Sequence, residues 1–278
     1  MSSTEFADRY GPWALIIGAS EGVGAAFALA VAQRGLHVVL VSRRQGVLDE
    51  VAANIRARTG VQTRTLAIDL AEIQAMESIV AGTSDLDIGM VFYCAGADST
   101  FAPFLDHPIE VPLAMVHRNC IVPIQVCHHF GGPMRDQGRG ALILVSSGAG
   151  LIGGPNMVGY AATKAFDMVM AEALWAELHG HGVDVLALVL GMTDTPALRR
   201  LMIQRGALPA DDLEAPIAGA SSVDEVVEEA LVNLTAGPTV FVGDTVRAGA
   251  EMFAKMTRND AVALLTSMGE AVMNQESS

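Results

Sequence analysis

The stretch SSGAGLIGGPNMVGYAATK runs from Ser146 to Lys164 and follows directly on the apolar run ALILV, Ala141 to Val145. A β-branched run, a glycine-rich turn and then a longer helical pattern form one strand-turn-helix unit, the repeating element of a parallel sheet wound by helices. Within the helical part Tyr160 and Lys164 stand four residues apart, so they share one face, a single turn from each other. An ammonium close to a phenol favours the phenolate, and a phenol so placed can carry a proton to or from a reacting oxygen. The chain has three tyrosines and only two lysines, Lys164 and Lys255, which makes the pairing informative. An amphipathic helix with one polar edge would present the same two residues.

Working outward, the same alternation recurs along the chain. The runs WALIIG, HVVLVS, TRTLAID, IGMVFYC, ALILVS, VDVLALVL and TVFVG predict seven strands, and their near-continuous apolar character fits strands buried on both faces. Between them, helical periodicity predicts helices over 23–33, 45–58, 73–80, 116–137, 159–179 and 223–234. The expected fold is α/β: a single doubly wound, Rossmann-like domain with a seven-stranded parallel sheet and helices on both faces. No internal repeat or linker marks a second domain.

Composition narrows the function. Of 278 residues, 51% are hydrophobic and 17% charged, too apolar for disorder. The uncharged run Ala141 to Thr163 carries many glycines and a serine pair, so no membrane span is expected. The N-terminus, MSSTEFADRYGPWALII, lacks a basic region before its apolar run and does not read as a secretory signal; a cytoplasmic protein is expected. Seventeen basic against thirty-one acidic residues give a net charge of −14, which argues against nucleic acid and anionic membrane as partners. Cys94, Cys120 and Cys127 form no CxxC pair and read as reduced core residues.

After the first run comes GASEGVG, with glycines at 18, 22 and 24. A tight turn into a helix offers free amides and the positive end of the helix dipole to a phosphate, and glycines let a pyrophosphate approach the backbone. At the end of the second run, where a free ribose 2′-hydroxyl would call for Asp or Glu, the chain has Ser42, Arg43 and Arg44. Two guanidinium groups and a hydroxyl suit a 2′-phosphate, so NADP(H) is the expected cofactor. Arginines that merely cap the strand end in solvent would read the same way.

With these glycines, Ser147, Tyr160 and Lys164 in place, the sequence resembles the classical short-chain dehydrogenase/reductase family from about Trp13 to Gly243. The branch it looks most like contains steroid 17β-dehydrogenases and long-chain 3-oxoacyl reductases. Ser147 precedes Tyr160 by thirteen residues, as the family's catalytic serine does, and Asn119 matches a fourth catalytic position. The resemblance implies a cofactor set of Gly18, Ser20, Glu21, Gly22, Val23, Gly24, Ser42, Arg43, Arg44, Asp69, Leu70, Ala95, Gly96, Tyr160, Lys164, Gly191, Thr193 and Thr195. Asp69 would face the adenine, and Gly191 with Thr195 the nicotinamide carboxamide. The chain departs from the family at Ile17, where a threonine is usual, at Tyr93 and Cys94 in place of two asparagines, and at Leu190 in place of proline.

The implied reaction is hydride transfer between NADP(H) and a ketone or secondary alcohol. Ser147 would donate a hydrogen bond to the substrate oxygen and Tyr160 would serve as general acid or base. Lys164 would tune the tyrosine and bind the nicotinamide ribose, and Asn119 would hold a water that links Lys164 to solvent. Without the resemblance, Ser147 could simply begin a turn and Asn119 satisfy buried backbone.

The stretch 192–222 is expected to form a lid, because it follows the sixth strand at the carboxyl ends where such sheets bind ligands. Met192, Leu198, Leu201, Met202 and Ile203, facing Leu151, Ile152, Pro155 and Met157, suit a small hydrophobic carbonyl or alcohol substrate, or equally pack the lid onto the core. Residues 1–243 would form the catalytic domain and 244–278 a helical tail of the same domain, amphipathic through Met252, Phe253, Met256, Leu264, Leu265, Met268 and Met273. That face could cover its own domain, the lid or a second subunit; the family resemblance implies a homodimer or homotetramer. No metal is expected. Two other classes stay open, a non-catalytic NADP-binding regulator and a nucleotide-sugar epimerase or dehydratase.

Overall fold

In the computed structural model, residues 1–97, 101–209 and 216–276 are described, with side chains through residue 268. Residues 210–215 of the expected lid and the side chain of Met273 lie outside the described residues. Seven parallel strands, β1 (Trp13–Ile17), β2 (His37–Ser42), β3 (Thr63–Ala67), β4 (Ile88–Tyr93), β5 (Gly140–Ser147), β6 (Val183–Leu190) and β7 (Thr239–Val242), pair in the order β3-β2-β1-β4-β5-β6-β7. The helices are α1 (Ser3–Tyr10), α2 (Gly22–Ala32), α3 (Gln45–Thr59), α4 (Ala75–Thr83), α5 (Glu110–Val116), α6 (Val122–Gln137), α7 (Val158–Leu178), α8 (Pro196–Gln204), α9 (Val223–Val232), α10 (Asp244–Ala254) and α11 (Arg258–Glu276).

The strand side chains alternate between two cores. Ile16, Leu40, Phe92, Ile143 and Leu188 pack with Phe27 of α2, Leu48 of α3 and Val226 of α9, while Ile17, Val41, Tyr93, Leu144 and Ala187 pack with Ile79 of α4, Val126 of α6 and Ala171 of α7. Inner strands therefore need apolar residues at most positions, and β1 and β4 are buried throughout. Phe27 stacks flat on Phe92, ring centroids 3.9 Å apart, locking α2 onto β4. The outer strand β3 departs from the expected uniform burial: TRTLA is only partly buried, and its Arg64 forks onto the exposed Asp85 at 2.6 and 2.9 Å. An edge strand has one neighbour, so polar residues there cost little.

Because β1 lies between β2 and β4, the chain winds away from it in both directions and leaves a crevice beyond its carboxyl end. The registers set Ile17 beside Val41 and Tyr93, and Leu190 beside Ser147 and Val242, so the strands end level along that crevice. Every loop expected to carry function leaves from this edge.

Two helical features also differ from the sequence-based expectation. The helix expected over 116–137 begins earlier, at Glu110, and is interrupted by a π turn over His117–Ile121. The N-terminal helix α1 was not expected, although its signal is present: Ser2 and Glu5 form a reciprocal capping box, and Phe6 and Tyr10, one turn apart, are both buried. Tyr10 donates to Asp184 Oδ2 at 2.7 Å, and Arg9 forks onto both oxygens of Asp184 at 2.9 Å, anchoring α1 to the start of β6. Burial and the Asp184 carboxylate push the Tyr10 phenol well above its ordinary range.

Asp184→Ala removes the acceptor for a fully buried tyrosine hydroxyl, which is expected to cost about 1 to 3 kcal/mol of stability. Thermal unfolding would read it as a lower Tm; an unchanged Tm would show that α1 is held by apolar packing alone.

Candidate active site

β5 delivers the first site residues. It ends at Ser147 and passes through a tight turn, Gly148–Gly150, into the loop that leads to α7. Buried Ser146 spends its hydroxyl on the Lys164 carbonyl at 2.6 Å, tying strand to helix. Ser147 is half-buried, with its Oγ accepting from the Ala149 amide at 3.2 Å. Gly150 faces α7 so closely that a Cβ would sit 2.6 Å from the Ala165 nitrogen. Only glycine lets the turn approach the helix there.

On α7, Tyr160 is half-buried and Lys164 is 4% exposed. The Lys164 ammonium donates to the Val145 carbonyl at 2.8 Å and to Asp167 Oδ2 at 2.9 Å. Burial works against the charge, but the Asp167 carboxylate and the Tyr160 phenol more than reverse this and hold Lys164 above the ordinary lysine range. Burial pushes the Asp167 carboxyl up, offset in part by Lys164.

Asn119 lies in the π turn and is fully buried. Its Nδ2 donates to Thr163 Oγ1 at 3.0 Å and to the Gly96 carbonyl at 3.2 Å, while Thr163 donates to the Tyr160 carbonyl at 2.9 Å. Tyr93, which departs from the family pattern, donates its hydroxyl to the Arg118 carbonyl in the same turn. A π turn leaves backbone groups out of the regular ladder, and such turns cluster at functional sites. The π turn, the end of β4 and α7 are thereby joined around Asn119.

The glycine loop sits at the switch point. Gly18 has φ +94°, and a Cβ on it would meet the Ala95 nitrogen at 2.9 Å; a Cβ on Gly24 would overlap the Gly18 carbonyl. Ala95 thus borders the loop from the end of β4, while Gly96, next along the chain, abuts the Asn119 side chain. Glu21, the residue before α2, makes no side-chain cap, so the first amides of that helix keep their donors for another acceptor. Ser20 is half-buried in the turn and Val23 is buried beneath it. At the end of β2, Ser42 Oγ is buried with no hydrogen-bond partner, and Arg43 and Arg44 are exposed beside it. Glu21 pairs with Arg44 at 3.6 Å and, more closely, with Arg200 of α8. A buried unpaired hydroxyl, two guanidinium groups and uncapped amides fit a phosphorylated dinucleotide.

Asp69 and Leu70 stand farther along the crevice, past β3. Asp69 Oδ1 accepts from the Ala71 amide at 3.0 Å, and Leu70 is buried with its carbonyl 3.0 Å from His117 Nδ1. On the other side, Gly191 follows β6 against Val246 of α10, and Thr193 bridges to Ser221. Thr195 caps α8 through the Leu198 amide at 3.1 Å, and its methyl lies 3.1 Å from where a Gly22 Cβ would be. The start of α8 therefore lies against the glycine loop.

A small cleft opens beside Tyr160, lined by Phe104, Val111, Met115, Asn156 and Val158 among others. The 101–115 segment carried no expectation from the sequence, since its apolar residues follow no clear period. Of the apolar residues expected to face the lid, Ile152 is buried, Leu151 and Met157 are part-buried and Pro155 is exposed. From the tail, Leu265 of α11 lies 3.7 Å from where a Gly154 Cβ would be. Asp167 was also missed, although an acid in the apolar run AFDMVMA, three residues after Lys164, is the kind of signal that marks it.

Among the described residues no helix is long and apolar enough to cross a membrane, and no cluster of metal-ligating side chains exists. A family model described as short chain dehydrogenase matches residues 12–205. The 7beta-hydroxysteroid dehydrogenase of Collinsella aerofaciens is 38% identical over 237 residues, covering 85% of this chain and 88% of the relative. That of Clostridium sardiniense is 32% identical over 267 residues, covering 95% and 97%. A solved structure of 7beta-hydroxysteroid dehydrogenase superposes with a TM-score of 0.85 at 34% identity, covering 94% of this chain and 98% of the other. A short-chain dehydrogenase from Sphingobium yanoikuyae in complex with NADPH gives 0.74 at 27% identity, covering 88% and 94%. The family model spans well over half of the chain and the relatives align over nearly their whole lengths: this chain belongs to the short-chain dehydrogenase family.

Proposed function

We propose that this protein is an NADP(H)-dependent oxidoreductase that interconverts a bulky hydrophobic ketone and its secondary alcohol, with a ring ketone of a steroid as the substrate class. The observation that carries the reading is the pairing of Tyr160 with the buried Lys164 ammonium on one face of α7, at the carboxyl edge of β5. NADPH, when bound, supplies the hydride to the carbonyl carbon. As charge builds on the carbonyl oxygen, Tyr160 gives it a proton and Ser147 Oγ donates a hydrogen bond to it. In alcohol oxidation the same two groups act in reverse. Lys164 supports Tyr160 electrostatically, and Asn119 holds the π turn against α7 through Thr163.

The cofactor contacts follow the crevice. The uncapped amides of α2 and the Gly18–Gly24 turn receive the pyrophosphate. Ser42, Arg43 and Arg44 receive the ribose 2′-phosphate, Asp69 and Leu70 border the adenine, and Gly191, Thr193 and Thr195 border the nicotinamide. The names of the relatives support the steroid class, and largely apolar side chains border Tyr160. Residues 1–243 act as the catalytic unit with a lid over 192–222. The tail from 244 closes the substrate end, as the contacts of Val246 with Gly191 and of Leu265 with Gly154 support.

A homodimer or homotetramer built on α5, α6 and α7 would cover an otherwise exposed apolar row. Leu113 is 58% exposed, Ile124 44%, Val158 50% and Val169 58%. Sedimentation equilibrium should return a dimer or a tetramer; a monomer at micromolar concentration would contradict it.

Tyr160→Phe deletes only the proton carrier. Turnover should fall at least about 100-fold, while the NADPH dissociation constant, read by fluorescence titration, stays nearly unchanged. Retained turnover would assign the acid elsewhere.

Replacing Arg43 and Arg44 together by Asp should weaken NADPH binding by at least about tenfold, since each charge-assisted contact contributes about 1.5 to 3 kcal/mol. NADH binding should change little. Equal losses for both cofactors would show that these arginines do not read the 2′-phosphate.

A further inference from the structure

We infer that Asp167 is a positioning residue of the reaction: its carboxylate fixes the Lys164 ammonium against β5 and keeps it charged beside Tyr160. The inference rests on the reading of Tyr160 and Lys164 as the proton-carrying pair.

The geometry is specific. Asp167 is 2% exposed, its Oδ2 lies 2.9 Å from Lys164 Nζ, and its Oδ1 has no hydrogen-bond partner among the described residues. Stability does not account for such a group. Burying a carboxylate with one oxygen unpaired is costly, and an apolar side chain of similar size at a buried pair is often neutral or stabilising. An ammonium has three N–H donors. Val145 and Asp167 take two of them from the core side, which fixes where the third can point.

The other titratable groups that face the pair are phenols, thiols and a guanidinium, not carboxylates. On α7 itself the neighbour is Tyr160. From the end of β4 come Tyr93, pushed well up by burial, and Cys94, pushed up to about 11. From the π turn comes Cys120, pushed up to about 11, and from α6 Cys127, pushed up to about 12, again by burial. These thiols and the Tyr93 phenol are neutral at working pH. Arg118 acts on Tyr93 from the π turn with a positive charge. Asp167 is thus the carboxylate that offsets burial at Lys164. An opposite charge at this range moves a titration by about 1 to 3 pH units.

Removing the negative charge favours loss of a proton from the Tyr160–Lys164 pair, whichever member gives it up. Ketone reduction needs both groups protonated, so its alkaline limb should move to lower pH in Asp167→Asn. A residue that only packed the helix would lower the rate without moving the limb.

The direct test uses the fact that the chain has two lysines, Lys164 and exposed Lys255. Lysine labelled with carbon-13 at Cε gives two resonances, assigned with Lys255→Arg, and their titration needs neither cofactor nor ketone. In the unmodified protein the Lys164 signal should remain unshifted at a pH where Lys255 is half titrated. In Asp167→Asn it should titrate ahead of Lys255. If Asp167→Asn does not fold, Asp167→Ser must give the same reversal. Lys164 titrating ahead of Lys255 in the unmodified protein overturns the inference, and so does a folded neutral variant in which Lys164 still lags. An inactive protein with the expected lysine titrations would instead refute the proposed function and leave Asp167's hold on Lys164 standing.

Discussion

A buried ammonium is the constraint on which the join between β5 and α7 depends. Lys164 sits at 4% exposure, and an uncompensated charge at that depth would cost several kcal/mol. Its partners therefore dictate architecture. The Val145 carbonyl must accept from the ammonium, and Gly150 must let the turn after β5 press against α7. Ser146 must face inward to take the Lys164 carbonyl. With these contacts closed, Ser147 at the end of β5 and Tyr160 on α7 are both carried by regular elements rather than by a loop.

The sheet order supplies the rest. Winding in both directions from β1 opens the crevice, and the level strand ends along it bring the glycine loop, the Arg43–Arg44 corner and the start of α8 to one edge. Thr195 touches Gly22, and Glu21 reaches both Arg44 and Arg200. The acid in the glycine loop thus shares its charge between the end of β2 and α8, which places these two elements side by side.

Local rules made much of this legible from residues alone. The seven strands were readable because inner parallel strands must be apolar on both faces, and the Tyr160–Lys164 pairing because helix geometry converts a spacing of four into a shared face. What was not legible depends on contacts distant in sequence. The π turn at Asn119 has no period of its own; it is stabilised by Tyr93, Thr163 and Gly96 from other elements. The cleft beside Tyr160 draws on 101–115, whose residues face Tyr160 only after folding. Helix α1 was readable through Ser2 and Glu5, but its anchor on Asp184 was not, since that carboxylate lies 174 residues beyond Tyr10. Asp167 falls between: the spacing placed it on the Lys164 face, but only burial makes its charge matter.

The central claim, hydride transfer to a bulky ketone, is tested most directly by isotope. The purified protein would be incubated with a 7-oxo steroid and NADPH deuterated at the transferable position of the nicotinamide, each face labelled in turn. The account predicts a secondary alcohol carrying one deuterium at the carbinol carbon, from one labelled face only, in step with cofactor consumed. An alcohol without deuterium from either face, or cofactor consumption with no alcohol formed, would contradict it.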